Sequence, residues 1–395
     1  MRILLVHNTY QVSGGEETVF KSEKELLLQH AHQCESAISS NDILDLLIAK
    51  FHTALNVSWA EYGYKFVLQS IKDFHPDIVH VHNFFPRLTP SIYDACIETG
   101  VPVVQTLHNY RIICPGALLM RNGTICEKCV SGSPYKAIIH RCYRNSILGS
   151  WRVARMVDYH RKRKTWQNKV NRYITLTEFS KKKFLEAGLS EEKIVVKPNF
   201  YIDLAKGGKE GSTKKQKVIY VGRLSKEKGV INLLNAWNNL AIDLHLRIAG
   251  DGPLLNHIEE RRGSNVELLG RLTSEQVSKE MSTASFLIMP SEWYESFGMV
   301  LIEAFAHGLP VVASRLGAMA EIVEDGVTGL HFEPGNAKDL VHKIQWLHDH
   351  PEECRKMGNN ARQVYEERYT PEKNYEMLMG IYQQVIDENK QNNES

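Results

Sequence analysis

The sequence predicts an α/β protein of two tandem domains, each a parallel sheet covered by helices on both faces. Three observations carry this expectation. Short β-branched apolar runs alternate with stretches long enough for helices, once before residue 200 and again after residue 217. Between the two series lies a polar, glycine-rich break, residues 206–215, with no apolar period. The chain has 395 residues, which at about 150 per domain is enough for more than one core.

The elements follow in order. Residues 2–6 read as a buried strand, 13–15 as a loop, and 16–30 as a helix on Val19, Phe20, Leu26 and Leu27. Further strands are expected over 77–81, 101–106, 172–176 and 193–196, each bounded by Pro, Gly or Asn. After a linker at 203–217 the alternation restarts. It runs strand 218–221, helix 229–238, strands 244–249 and 266–268, helix 274–283, strand 285–289, helix 299–307 and strand 310–314. A terminal helix is expected over 371–388. The domains are then 1–202, with a cysteine insertion at 114–142, and 218–370, with 371–395 packing back on the first. Ligands of open α/β sheets bind beyond the carboxyl ends of the strands, so two such sheets placed face to face would leave a cleft between them.

Charge separates the halves. The net value is +2, but residues 1–200 carry +8 and the remainder −6. Ten Lys or Arg fall between Arg141 and Arg172 against one acid, Asp158. No window approaches a membrane-spanning apolar run and no leader-like apolar region opens the chain, so the expected location is the cytoplasm. Seven cysteines there argue against a disulfide framework.

The richest stretch in chemistry is Ser291-Glu-Trp-Tyr-Glu-Ser-Phe-Gly-Met-Val-Leu-Ile-Glu. Glu295 falls on the loop before a helix and Glu303 within the helix's first two turns, amid Val300, Leu301, Ile302, Ala304 and Phe305. A carboxylate in so apolar a setting needs a partner. Vicinal ribose hydroxyls would supply one, and so would a structural Arg or the backbone. The amides of Phe297, Gly298 and Met299 at the helix start suit a diphosphate. A second element, Gly222-Arg-Leu-Ser-Lys-Glu-Lys228, follows a strand, and its Arg223 and Lys228 suit the same anion. Gly250-Asp-Gly-Pro253 adds a tight turn.

Together these pieces resemble the retaining glycosyltransferases of family 4, glycosyl transferases group 1. The ordered set also includes Ser13-Gly14-Gly15-Glu16, Leu107-His108-Asn109-Tyr110 and Gly270-Arg271. The resemblance implies the GT-B fold, two facing Rossmann-like domains with an interdomain cleft. It implies transfer of a sugar from a UDP or GDP sugar to a glycan or lipid-linked acceptor, in bacterial surface polysaccharide or glycolipid assembly. By the same resemblance Glu303 holds the donor ribose, Glu295 meets sugar hydroxyls, and Arg223 and Lys228 bind the diphosphate. Gly14 and Gly15 let the first loop approach the donor phosphate, Gly222 and Gly250 line the donor site, and His108 touches the transferred sugar. No cofactor is implied for catalysis. His80 and His82 read equally as acceptor-side residues or as satisfied core histidines.

Two further features stand apart. Cys114, Cys126, Cys129 and Cys142 have spacing suited to a structural zinc ion, with an iron–sulfur cluster or unligated core cysteines as alternatives. Residues 150–172 place Trp151, Met156, Tyr159 and Trp166 among the basic residues, a face for an anionic membrane on its cytoplasmic side or a solvated helix with one buried stripe. Nucleic acid is not an expected partner, since no recognition motif accompanies the charge. The competing functional readings are an inert sugar-nucleotide-binding protein and a zinc-dependent nucleic-acid binder.

Overall fold

A computed structural model describes residues 1–9, 14–40, 57–204 and 217–394. Ser13 of the expected first loop and residues 205–216 of the expected linker lie outside these. The chain divides into two compact units. One comprises Met1–Arg121, Cys126–Pro198 and Asn374–Ser395, the other Asn122–Ile125 and Asn199–Lys373.

Leaving aside two-residue strands near the cysteines, the first unit has β1 (Arg2–Asn8), β2 (Gln33–Ser39), β3 (Ile78–Asn83), β4 (Val103–Thr106), β5 (Arg172–Thr175) and β6 (Ile194–Val196). They form one parallel sheet in the order β2-β1-β3-β4-β5-β6. Ile3, Leu4, Leu5 and Val6 of β1 are fully buried, as a strand covered on both faces requires. Edge strand β2 was not anticipated. Its sequence QCESAIS is polar and half of it faces water, so it lacks the apolar run that marks the inner strands.

The terminal helix, Pro371–Glu394, contributes to this unit from Asn374 onward. Leu378, Tyr382 and Val385 recur on one face and are fully buried against Ile3, Leu5, Phe20 and Ile78. Arg172 donates to both carboxylate oxygens of Glu388 at 2.7 and 2.8 Å, fixing the helix further along.

The second unit has β7 (Lys217–Val221), β8 (His245–Ala249), β9 (Val266–Gly270), β10 (Phe286–Met289), β11 (Val311–Ser314) and β12 (Gly329–Phe332). Their order, β9-β8-β7-β10-β11-β12, is that of a dinucleotide-binding sheet, again wholly parallel. The sheet's Tyr220, Leu246, Ile248 and Ile288 pack with Val230, Leu233 and Trp237 of helix Val230–Trp237 and Leu340 and Ile344 of helix Ala337–Asp349. No helix among the described residues is long and apolar enough to cross a membrane.

The basic segment requires a correction. It forms helix Ile147–Lys162 followed by the short Thr165–Asn168, and Met156 and Trp166, read as surface aromatic and apolar groups, are buried. The exposed apolar side chains lie earlier, at Ile139, Ile147, Leu148 and Trp151.

Candidate active site

In the second unit the strand order reverses between β7 and β10, the place where ligands bind in open α/β sheets. The loops leaving these strands carry most of the expected residues. From β7 the chain passes Gly222 and Arg223 to a 3-10 turn, Lys226–Lys228, ended by Gly229. A Cβ on Gly229, whose φ is 67°, would stand 1.8 Å from the Pro290 carbonyl oxygen beyond β10. Glycine therefore lets the two loops touch. Gly250, at φ 152°, similarly presses against the Gly222 carbonyl, which a Cβ would approach to 1.9 Å.

This close fit brings Lys228 to Glu295. The Lys228 ammonium donates to Glu295 Oε1 at 2.6 Å, and Ser291 Oγ donates to the same oxygen at 2.8 Å. Glu295 is 5 % exposed, so its charge is neutralised at close range, while Lys228 retains 25 % of its side-chain surface and lies over the Trp293 ring. The Arg223 guanidinium is exposed and has no hydrogen bond or ion pair among the described residues. Phe297 is buried against Tyr369. Gly298 precedes helix Met299–Ala306, whose start no side chain caps.

Glu303 is treated differently from Glu295. It keeps part of its surface, and its carboxyl has no hydrogen bond or ion pair among the described residues. It sits deep enough among protein atoms that burial pushes its pKa up to about 7. One turn on, His307 donates from Nδ1 to the Glu303 carbonyl at 2.8 Å and accepts from Ser278 Oγ at 2.7 Å. The Tyr201 phenol is raised by burial and, secondarily, by the Glu303 charge, which places it beside that carboxyl. Among the described residues no hydrogen bond or ion pair joins Glu303 to the Lys228–Glu295 pair.

In the first unit the carboxyl ends of β3 and β4 border a recess of about 320 Å3 lined by His82, Phe85, His108, Asn109 and Arg111 among others. His108 is 8 % exposed, and its Nε2 lies 3.0 Å from His82 Nδ1. Behind it is a buried cluster whose cation and carboxylate sequence reasoning did not single out. Lys197 donates to Glu23 Oε2 at 2.9 Å and to Asn374 Oδ1 at 3.1 Å, while Glu23 Oε1 lies 3.2 Å from His80 Nδ1 and 3.3 Å from His82 Nε2. His80 also meets Tyr382 and Thr106, at 2.6 and 2.8 Å. Gly14 ends its loop at the start of helix Gly15–Gln29, and a Cβ there would meet nothing within 4 Å.

Glu23, His80 and His82 have ligand atoms within 4.8 Å of one another, the one such group among the described residues. The Lys197 ammonium already supplies the cation at Glu23, so this group does not fit a metal ion. The four expected cysteines are free and share one neighbourhood. Burial, then the thiols of Cys114, Cys142 and Cys126, push the Cys129 thiol up to about 12. Their number and chemistry fit a structural zinc ion, although their sulfurs do not form a group within that 4.8 Å limit.

Two wholly parallel sheets, the second in the strand order of a dinucleotide-binding fold, define a doubly wound α/β protein with a switch-point site. The sequence matches the profile of Glycosyltransferase Family 4 over residues 44–203 and that of Glycosyl transferases group 1 over 205–364, so the chain belongs to the group 1 glycosyltransferases. It is 25 % identical over 348 residues to the α-D-kanosaminyltransferase of Streptomyces kanamyceticus, covering 83 % of each chain. It is 35 % identical over 173 residues to an uncharacterized glycosyltransferase of Methanocaldococcus jannaschii, 43 % of this chain and 48 % of that one, so this match spans about half the relative's length. Among solved structures, Anabaena HepE in complex with UDP-glucose superposes with a TM-score of 0.65 at 19 % identity, covering 98 % of both chains. The fold is therefore of the GT-B class.

The raised Glu303 pKa has a definite sign. A carboxyl that rises from 4.5 to about 7 on folding adds stability below its unfolded value, and that stability is lost as pH rises through about 7. Glu303→Gln should remove this decline, so the pH profiles of thermal unfolding in ligand-free protein should diverge across that window. Parallel profiles would show that Glu303 is not buried in the way described.

Proposed function

We propose that this chain is a retaining glycosyltransferase that moves a sugar from a nucleotide diphosphate donor, of the UDP class first, to an acceptor hydroxyl. The observation that carries this reading is the unpaired Glu303 carboxyl on the helix that follows the switch-point loops, in the same unit as the Lys228–Glu295 pair and the free Arg223. Ribose hydroxyls donating to Glu303 would stabilise its ionised form. Arg223, Lys228 and the amides of Phe297, Gly298 and Met299 would take up the diphosphate charge as the sugar leaves, so the step requires no metal ion. Gly14, Gly222 and Gly250 would leave room for backbone near the donor. UDP is favoured because HepE, similar in fold, was solved with UDP-glucose. GDP sugars are the second choice.

Retention is taken from the family resemblance, and how Glu295 is held bears only on the route by which it would occur. A carboxylate whose Oε1 is shared by Lys228 and Ser291 is a poor nucleophile, so we assign it to sugar hydroxyls rather than to a covalent intermediate. The acceptor oxygen then bonds to the anomeric carbon on the face from which the diphosphate departs, and its proton passes to a diphosphate oxygen. His108, on the recess of the first unit, is assigned to a sugar hydroxyl. The acceptor is proposed to be a glycan or lipid-linked sugar in surface glycan assembly.

Two accessory features extend this reading. Cys114, Cys126, Cys129 and Cys142 would hold a structural zinc ion without an open coordination position. The corner bearing Ile139, Ile147, Leu148 and Trp151, set among Arg141, Arg144, Arg152 and Arg155, would rest on an anionic bilayer. This moves the expected membrane contact from residues 150–172 to 139–155.

Calorimetric titration with UDP, UDP-glucose, GDP and GDP-mannose tests the donor assignment. Binding should select one base, and Glu303→Ala should weaken it by about tenfold or more, the worth of charge-assisted hydrogen bonds. Arg223→Ala and Lys228→Ala should each depress turnover. Binding without turnover on any acceptor would favour the inert sugar-nucleotide-binding reading, and unchanged affinity in Glu303→Ala would remove that residue from the donor site.

Elemental analysis should find about one zinc per chain, lost in a Cys126→Ser/Cys129→Ser variant. Finding neither zinc nor iron would retire the metal.

In flotation assays, vesicles containing phosphatidylglycerol should retain the chain and phosphatidylcholine vesicles should not. Arg152→Glu/Arg155→Glu should release it, and equal retention on both lipids would overturn the charge argument.

A further inference from the structure

The recess of the first unit opens onto a line of polar groups that runs inward from His108 through His82 and Glu23 to Lys197. Glu23 and Lys197 are each 1 % exposed, 2.9 Å apart, and remote in sequence. Burial alone would favour a protonated Glu23, but Lys197 and the two imidazoles hold its carboxyl well below the usual range. Burial also brings His82 down to about 4, helped by His80, and holds His108 well below its ordinary value, helped by His82. The line therefore contains an ammonium, a carboxylate and two neutral imidazoles.

Neutral imidazoles have one proton each, and here its position follows from the neighbours. Glu23 Oε1 is an ionised oxygen and can only accept. His82 Nε2, 3.3 Å away, is otherwise without a partner in a buried setting, while Oε1 also faces His80 Nδ1 at 3.2 Å. Facing an oxygen that can only accept, His82 Nε2 is satisfied only if it carries the proton. His82 Nδ1 then bears a lone pair, so the 3.0 Å contact with His108 Nε2 requires His108 to donate. The proton of His108 is thereby fixed on Nε2, and its Nδ1 is left as an acceptor. That atom has no protein partner among the described residues and is not sealed from the recess.

We infer that Lys197, Glu23 and His82 are positioning residues that lock His108 in the Nε2-protonated tautomer, so that its Nδ1 accepts a hydrogen bond from a substrate hydroxyl. This rests on the proposed role of His108 and adds the residues that prepare it. His80 shares Glu23 Oε1 and is tied on its other side to Thr106, so it braces the carboxylate without touching the recess.

The test is a long-range 1H–15N spectrum of the full chain labelled in its histidine rings, with signals assigned from His82→Ala and His108→Ala. Both residues should show the Nε2-protonated pattern. In Glu23→Gln/Lys197→Met, which removes the two charges together, His108 should become a mixture of tautomers and kcat/KM should fall by about tenfold, the worth of one misdirected hydrogen bond. Lys197→Arg should preserve both. A wild-type His108 protonated on Nδ1 overturns the proposal without need of any variant, and so does an unchanged tautomer in the double variant. If the tautomers are as stated but His108→Ala turns over normally, the substrate contact is what fails and the proton arrangement stands.

Discussion

A charge removed from water must bring its counter-charge with it, and both units are organised around that constraint. In the first unit Lys197 and Glu23 are sealed together, and Asn374 occupies another donor of the lysine. Because Asn374 lies on the terminal helix, the ion pair also holds that helix, whose Tyr382 reaches His80. In the second unit Lys228 and Glu295 make the same kind of pair, but Lys228 remains a quarter exposed. The sealed pair can only orient what surrounds it. The open pair can share its ammonium with an arriving phosphate at modest desolvation cost. Exposure, not residue type, separates the two pairs, and the open one is the pair proposed to meet ligand.

Glu295 and Glu303 show the same logic within one unit. Glu295 is buried in direct contact with a lysine. Glu303 is less covered by surface area, yet it has no cation beside it and keeps its proton to about pH 7. A neutral carboxyl can be held without a partner, whereas an ionised one calls for donors. Vicinal hydroxyls supply donors, so a sugar bound at Glu303 would lower its pKa and release to solvent the proton that folding retained. On the proposed reading, the tension left at this carboxyl in the free protein would be relieved by ligand rather than by the fold.

The inner strands were legible because burial on both faces demands apolar residues, as Ile3 to Val6 and Phe286 to Met289 show. Edge strand β2 was not, since its exposed half is as polar as a loop. Glu303 could be picked out as an acid in an apolar helix, and Glu295 by its place on the loop before that helix. Glu23 could not, because a glutamate in an amphipathic helix reads as solvent-facing until its lysine, 174 residues away, is seen beside it. His80 and His82 stayed between two readings for a related reason. The structure shows both as buried groups beside Glu23, with His82 Nδ1 3.0 Å from His108 Nε2. Met156 and Trp166 were misread because composition does not say which side of a basic helix is buried.

The cysteine segment adds a further step. Burial first, and then the neighbouring thiols, raise the Cys129 pKa, so that thiol resists ionisation while no cation is beside it. A metal ion reverses that sign by bonding the thiolates, which turns an unfavourable grouping into a favourable one. Arg161, on the helix that begins at Ile147, donates to the backbone carbonyls of Cys129 and Gly132. The loop that bears the sulfurs is thus already fastened to the helix whose first turns expose Ile147, Leu148 and Trp151. An ion bound by the cysteines would stiffen the corner assigned to the bilayer, and Cys142, between Ile139 and Ile147, is the residue through which the two would be coupled.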